Sequence, residues 1–218
     1  MKVAVVLSGC GVFDGSEIQE SVLTLLALSR ANVRYQCMAP NIAQAHVVNH
    51  LTGEISANET RNVLVESARI ARGQVLDIAQ TNAEDYDAVF FPGGYGAAKN
   101  LSDFAFNGAK ARLQSDVLRF AQAMAKAKKP ACYICIAPAM IPLVYGESTQ
   151  LTIGDDADTS AAINAMGGQH INCPVQDIVV DEAHKVVSTP AYMLAENIAQ
   201  AATGIEKAVN KTLAMVQR

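Results

Sequence analysis

The chain has 218 residues, half of them hydrophobic and only 17% charged, so it can bury a large core and is not a disordered chain. Its net charge of −4 gives no electrostatic reason to expect nucleic acid or an anionic membrane as a partner. Its five cysteines form an odd set without the spacing of a disulfide framework, which favours reduced thiols. We therefore predict a single domain over residues 1–218 and a cytoplasmic location.

Strand and helix patterns alternate through the N-terminal half. Val3–Leu7 is an apolar run typical of a buried parallel strand, and it is too short for the core of a signal peptide. A helix is predicted over Glu17–Arg30, with Ser16 as its N-cap and Gln19 completing a capping box. The next predicted elements are a strand at Val33–Ala39, a helix at Glu59–Arg72, and strands at Val75–Ile78 and Ala88–Phe91.

The alternation continues to the C-terminus. The predicted elements are a helix at Asp116–Lys128, a strand leading to Cys135, a helix at Asp155–Met166, a hairpin of Ile178–Asp181 with Lys185–Ser188, and a helical region at Tyr192–Val216. This order predicts an open α/β sheet, mostly parallel and covered by helices on both faces. The longest apolar stretch is broken by Pro138 and Pro142 and is shorter than the roughly 20 residues that span a bilayer, so no membrane association is expected.

Three unusual loops follow predicted strands: Ser8–Gly15, Pro92–Gly96 and Cys135–Pro138. In open α/β sheets, ligands bind beyond the carboxyl ends of the strands. The three loops are therefore expected to meet at one edge of the sheet and to form a binding site there. The glycines of Pro92–Gly96 would let backbone approach a substrate and supply N–H groups to a developing oxyanion.

Cys135 lies where the chain must turn from a strand into the helix-compatible segment Pro138–Tyr145. Backbone N–H groups and a helix N-terminus would favour thiolate there, the reactive form of cysteine. The alternative is a buried structural cysteine, the commoner state of a free thiol. Cys132 completes a C-x-x-C motif, but three residues of strand would hold the two Cα atoms about 10 Å apart. A disulfide needs less than about 7 Å, so a redox pair is not expected.

Other motifs argue against bound cofactors. The Gly-rich turn after the first strand has Asp14 where a dinucleotide-binding fingerprint needs its third glycine, and the sequence contains no P-loop motif. The histidines lack metal-ligand spacing, so no metal and no cofactor are expected: His46, His50, His170 and His184. Glu17 either interacts with the dipole of its helix or faces Cys135 as a general acid and base.

Four segments resemble the DJ-1/PfpI branch of the class I glutamine amidotransferase-like superfamily, and within it the ES1 group: Leu7–Glu17, Phe91–Asn100, Cys135–Pro138 and Ser188–Leu194. The resemblance implies a flavodoxin-like three-layer sandwich with Cys135 at a nucleophile elbow and Glu17 as the acid that contacts its thiol. It also implies that the Gly94 and Ile136 amides are oxyanion donors, with Gly93 beside them in the substrate-binding loop.

The same resemblance implies a cofactor-independent and glutathione-independent glyoxalase, a lyase that converts glyoxal or another small dicarbonyl to a hydroxy acid, and a homodimer. The region Ser188–Ala191 lacks the histidine that completes an amidotransferase triad. His170 is the candidate histidine because it precedes a predicted strand segment. Two alternatives stay open. One is a redox-responsive regulatory protein linked to isoprenoid biosynthesis, and the other is a partner-binding amidotransferase-like subunit without glutaminase activity.

Overall fold

A computed structural model describes residues 1–216, which form nine strands and seven α-helices. The strands are β1 Lys2–Val6, β2 Arg34–Ala39, β3 Val75–Asp77, β4 Ala88–Phe91, β5 Ala131–Ile134, β6 Gln150–Leu151, β7 Gln169–His170, β8 Val179–Asp181 and β9 Val186–Thr189. The helices are α1 Ile18–Arg30, α2 Val63–Ile70, α3 Phe104–Asn107, α4 Ser115–Lys126, α5 Ile141–Tyr145, α6 Ala157–Ala165 and α7 Ile198–Ala214.

The main sheet has seven strands in the order β3-β2-β1-β4-β5-β9-β8. All neighbouring pairs are parallel except β8 and β9, which form the predicted antiparallel hairpin. The prediction of a mostly parallel, flavodoxin-like α/β sheet is confirmed. Strands β6 and β7 form a separate parallel pair that the sequence did not predict, because two residues per strand are too few to show a periodic pattern.

The core lies on both faces of the main sheet. On β5, Tyr133 packs into one buried cluster together with residues of α4, while Cys132 and Ile134 pack into the other together with residues of α1 and α7. Tyr133 stacks on Phe91 of the neighbouring strand, with ring centroids 4.6 Å apart. Burial on both faces explains why this strand reads as a continuous apolar run.

Side-chain caps move two helix starts away from their predicted positions. Helix α2 begins at Val63 rather than Glu59, because Asn62 accepts a hydrogen bond from the Val65 amide at 3.1 Å. The C-terminal helical region divides into a short 3₁₀ turn at Ala191–Met193 and helix α7, which Asn197 caps. Within residues 1–216, no helix has both the length and the apolar character needed to cross a bilayer.

Candidate active site

Cys135 occupies a strained turn between β5 and a 3₁₀ helix, Ala137–Met140, that leads into α5. Its φ of +64° is unusual for a residue that carries a Cβ, and its amide donates a hydrogen bond to the Thr189 carbonyl at 2.9 Å. Such a conformation costs roughly 1–3 kcal/mol, and strain of this kind clusters at functional sites. The turn leaves 8% of Cys135 exposed, enough for the thiol to line a cavity.

Two backbone amides point at the Cys135 sulfur. Interactions with the backbone N–H groups of Gly94 and Ile136 lower the pKa of the thiol. Burial opposes them most strongly, followed by the charge of Glu20, so the pKa of Cys135 lies well above its ordinary value. The structure thus brings Gly94 and Ile136, the oxyanion donors that the resemblance implies, next to Cys135. An oxyanion on an atom bonded to this sulfur would lie within reach of the same amides.

The carboxyl group beside the Cys135 thiol belongs to Glu20, which acts on the pKa of that thiol, and the prediction that Glu17 makes this contact is wrong. Glu20 lies in the first turn of α1 and is fully buried. Its Oε2 accepts a hydrogen bond from the Gly93 amide at 3.0 Å, and its Oε1 accepts one from the Tyr192 amide at 3.1 Å. These bonds fix the carboxyl group between the glycine loop and the end of β9.

Glu17 is the N-cap of α1, and its carboxylate accepts a hydrogen bond from the Glu20 amide at 2.6 Å. The predicted capping box of Ser16 and Gln19 is therefore wrong. The Ser16 hydroxyl instead accepts a hydrogen bond from the Ser8 amide at 2.8 Å, which ties the helix entrance to the end of β1. Glu17 nevertheless lines the same cavity as Cys135, and burial raises the pKa of its carboxyl group.

The three loops meet at the carboxyl edge of the sheet, as predicted. The Glu17 amide donates to the Gly93 carbonyl at 2.9 Å, and the Gly96 amide donates to the Gly15 carbonyl at 2.8 Å. A Cβ added to Gly93 would lie 2.4 Å from the Cys135 Cβ, so only glycine lets the loop come this close to the thiol.

The cavity beside the thiol has a volume of about 370 Å³. Its polar walls are Glu17, Asp156, Thr159, Tyr95 and Tyr192, and its apolar walls include Val12, Phe104 and Met193. In the part of the chain that the structure describes, no histidine, lysine or arginine lines this space. Residues 1–216 also contain no group of three His, Cys, Asp or Glu side chains arranged to hold a metal ion.

The prediction of His170 as a candidate catalytic histidine is wrong. Its Nε2 accepts a hydrogen bond from the Ile153 amide at 3.2 Å, and the ring lies outside the cavity. Residues Ser188–Ala191 end β9 beside the elbow and supply backbone groups rather than an imidazole. A glutaminase triad built on a histidine therefore has no support among the described residues. Burial raises the pKa of the Cys132 thiol to about 12, and this cysteine stays within β5 as expected.

Glu20 and Cys135 set the expected pH dependence of any thiol chemistry here. Burial, followed by the charge of Glu17, raises the pKa of Glu20 to about 8. Below that pH both groups hold a proton, and above it the Glu20 carboxylate can accept the thiol proton during nucleophilic attack. Alkylation of Cys135 by iodoacetamide is expected to accelerate with pH through a step near 8. Glu20→Gln is expected to lose this step, and a step that persists in the variant would contradict the assignment.

The same raised pKa predicts a pH-dependent stability. The folded state keeps a proton on Glu20 up to about pH 8, whereas the group in the unfolded chain loses it near the ordinary value of 4.5. Stability contributed by this proton is complete below pH 4.5 and is lost as the pH rises towards 8. Urea unfolding should therefore show Glu20→Gln gaining stability relative to the unsubstituted protein between pH 5 and pH 8.5. If the difference in unfolding free energy between the variant and the unsubstituted protein did not change with pH, the raised pKa of Glu20 would be contradicted.

Comparison with known proteins places the chain among named relatives. The ES1 protein homolog, mitochondrial, of Rattus norvegicus is 42% identical over 221 residues, covering 97% of this chain and 83% of that protein. Glutamine amidotransferase-like class 1 domain-containing protein 3, mitochondrial, of Homo sapiens is also 42% identical, with 97% and 82% covered. No protein-family model matches the chain.

Both relatives are named as mitochondrial, and on this finding the predicted cytoplasmic location is wrong. The prediction failed because it relied on the cysteine count, which carries information about the redox state of a compartment and not about its identity. An odd number of thiols without disulfide spacing separates reducing from oxidising environments. It does not separate one reducing compartment of a cell from another.

Solved structures agree on the fold. The crystal structure of an isoprenoid biosynthesis protein with an amidotransferase-like domain from Ehrlichia chaffeensis has a TM-score of 0.90 at 38% identity, covering 98% of this chain and 99% of that chain. Glyoxalase III from Candida albicans has a TM-score of 0.64 at 15% identity, covering 100% and 98%, and so shares the fold. Because sequence identity near 40% extends over almost the whole length, the chain belongs to the ES1 family of class I glutamine amidotransferase-like proteins, with a DJ-1/PfpI fold.

Proposed function

We propose that the protein is a cofactor-independent glyoxalase that adds water to glyoxal and releases glycolate. The observation that carries the proposal is the environment of the Cys135 sulfur. Two backbone amides and a buried carboxyl group contact one thiol, at the edge of a cavity with a second carboxyl group and without a histidine. This arrangement suits addition of sulfur to a carbonyl followed by proton transfers.

The first step forms a hemithioacetal. Glu20 accepts the thiol proton as Sγ of Cys135 bonds to one aldehyde carbon of glyoxal. The amides of Gly94 and Ile136 hold the resulting alkoxide until it takes the proton back from Glu20. Because these donors come from fixed backbone, they need no reorganisation as the charge develops.

The second step moves a proton between the two substrate carbons. Glu17 removes the C–H proton from the hemithioacetal carbon, and the electron pair shifts towards the second carbonyl to give an enediol. Reprotonation of the neighbouring carbon gives a glycolyl thioester on Cys135. Water then breaks the S–C bond and releases glycolate and the thiol. The sum is glyoxal plus water to glycolate plus a proton, with one carbon oxidised and the other reduced.

Glu17 suits the second step better than Glu20 does. It lines the cavity, whereas Glu20 is fully buried with both oxygens bonded to backbone amides. Burial raises the pKa of Glu17, which makes its carboxylate a stronger base than an exposed one. Two carboxyl groups three residues apart at the start of α1 thus have separate roles, whereas the family resemblance implied one acid, Glu17.

The test is turnover of glyoxal in D₂O, followed by NMR. The expected product is glycolate with one deuterium on its CH₂ carbon, because the proton held by Glu17 exchanges with solvent. Absence of glycolate would overturn the proposed activity. Glycolate without deuterium would overturn a Glu17 base that exchanges its proton with solvent, since the hydrogen would then pass between the two carbons without exchange.

A second candidate is a redox-responsive protein linked to isoprenoid biosynthesis. It is favoured by the naming of the 38% identical Ehrlichia chaffeensis protein for that process. In that case Cys135 would be oxidised to sulfinic acid ahead of the other four cysteines. Peptide mapping after mild peroxide, run beside the glyoxal assay, separates the two candidates: selective oxidation without glycolate favours regulation. Assembly as a homodimer stays a prediction.

A further inference from the structure

Two helix N-termini face the Cys135 cavity, and carboxylates of the chain itself cap both. Glu17 accepts the Glu20 amide at the start of α1 at 2.6 Å. Asp156 accepts the Thr159 amide at the start of α6 at 2.8 Å. A helix N-terminus normally attracts anions through its free N–H groups and its dipole. Here each end already holds a carboxylate, so an incoming anion meets negative charge in its place.

No cation of the described lining offsets these carboxylates. Lys99 lies beside one wall, with its Nζ 5.1 Å from the centre of the Tyr95 ring. That ammonium group donates to the Phe13 carbonyl at 3.0 Å and lies outside the cavity lining. The remaining walls are largely apolar, and low-dielectric walls focus the field of the charges that line a cleft.

Asp156 keeps its charge near neutral pH. Hydrogen bonds from the Thr159 hydroxyl and amide lower the pKa of its carboxyl group. Glu17 adds a further negative charge once its raised pKa is exceeded. The cavity therefore becomes more negative once Glu17 ionises, and the Cys135–Glu20 pair becomes more reactive as the pH rises towards about 8.

We propose that this cavity selects uncharged carbonyl compounds and rejects those that carry a carboxylate or a phosphate group, with Asp156 as the specificity-determining residue. The statement about substrates rests on the proposed function, but the charge selection is a property of the space around the thiol. Asp156 is exposed, so solvent screens it. A charge that lines the same cavity in such a partly solvated setting changes a rate by roughly three- to tenfold.

The test compares iodoacetamide with iodoacetate as alkylating agents for Cys135. The two reagents share size and leaving group and differ by one negative charge. Rates at Cys135 are measured by peptide mapping and divided by rates for the uncharged thiol N-acetylcysteinamide. The expected result is that Cys135 prefers iodoacetamide by about three- to tenfold more than the reference thiol does. An equal or reversed preference would overturn the proposal.

Two variants assign the effect to Asp156. Asp156→Asn keeps a good helix cap and removes the charge, so the extra preference should shrink by at least half. Asp158→Asn makes the same charge change in the first turn of the same helix but outside the cavity lining, and it should leave the preference unchanged. Equal effects of both variants would overturn the assignment.

The alkylation test does not depend on turnover, so it separates this inference from the proposed function. Charge selection without glycolate formation would refute only the glyoxalase activity. Glycolate formation without charge selection would refute only this inference.

Discussion

Replacing Cys135 by serine is expected to lower kcat/KM for glyoxal by at least about 1000-fold, as loss of a covalent nucleophile does in other enzymes. Serine fits the turn, since its side chain is nearly isosteric and the backbone strain at φ +64° stays the same. Its hydroxyl is far less acidic than a thiol, so Glu20 cannot take its proton at a useful rate. The measurement is the initial rate of glycolate formation at several pH values, with a circular dichroism melt to show that the variant folds.

The matched control is Cys10→Ser. Cys10 is a partly exposed cysteine in the Ser8–Gly15 loop, and it lies outside the cavity lining. This variant should keep glyoxal turnover within about twofold, because surface substitutions away from a site change little. Glyoxal also reacts with arginine and lysine side chains, so heat-denatured protein provides the blank. Full turnover by Cys135→Ser would refute a mechanism through a hemithioacetal.

Gly94→Ala is expected to cost at least about 100-fold in kcat/KM, the usual effect of losing one oxyanion donor. A Cβ at this position would lie 2.2 Å from the Glu17 nitrogen and 2.4 Å from the Gly15 oxygen. These are backbone atoms, so the loop must move and take its N–H away from the Cys135 sulfur. Steady-state kinetics should show the loss mainly in kcat, since the donor acts on charge that develops after binding.

Gly53→Ala is the control for Gly94→Ala, because it places an alanine at a positive φ without the steric clash. Gly94 and Gly53 both have positive φ values, +95° and +77°, but a Cβ on Gly53 meets no heavy atom within 4 Å. Gly53→Ala should therefore lower the unfolding free energy by about 1–2 kcal/mol and leave turnover intact. If both variants lost stability equally and neither lost activity, the Gly94 amide would have no role in catalysis.

The meeting of the three loops followed from the sequence because of how parallel sheets are built. Each loop comes after an apolar strand, and all carboxyl ends of parallel strands point to one edge. The positions of Cys135, Gly94 and Ile136 at that edge needed no knowledge of packing. The role of each residue in catalysis remains a proposal that the variants above test.

The choice between Glu17 and Glu20 depended on tertiary structure. Both acids lie near the start of α1, and the sequence favoured the one next to the turn. One signal pointed to Glu20: it shares a helix face with Leu23, Ala27 and Leu28, all of them buried. An acid on a buried helix face needs partners to compensate for its burial. Those partners are the amides of Gly93 and Tyr192, which come from distant parts of the chain.

The sequence by itself determined the alternation of strands and helices, the edge of the sheet where a site forms, and the cysteine at its centre. These are properties of periodicity and turn chemistry, which act over a few residues. Only the tertiary structure decided which carboxyl group contacts the thiol, that no histidine of the described chain lines the cavity, and that Asp156 completes its negative wall. Contacts of this kind join residues that are far apart in sequence, through side-chain directions and helix ends that no local pattern specifies.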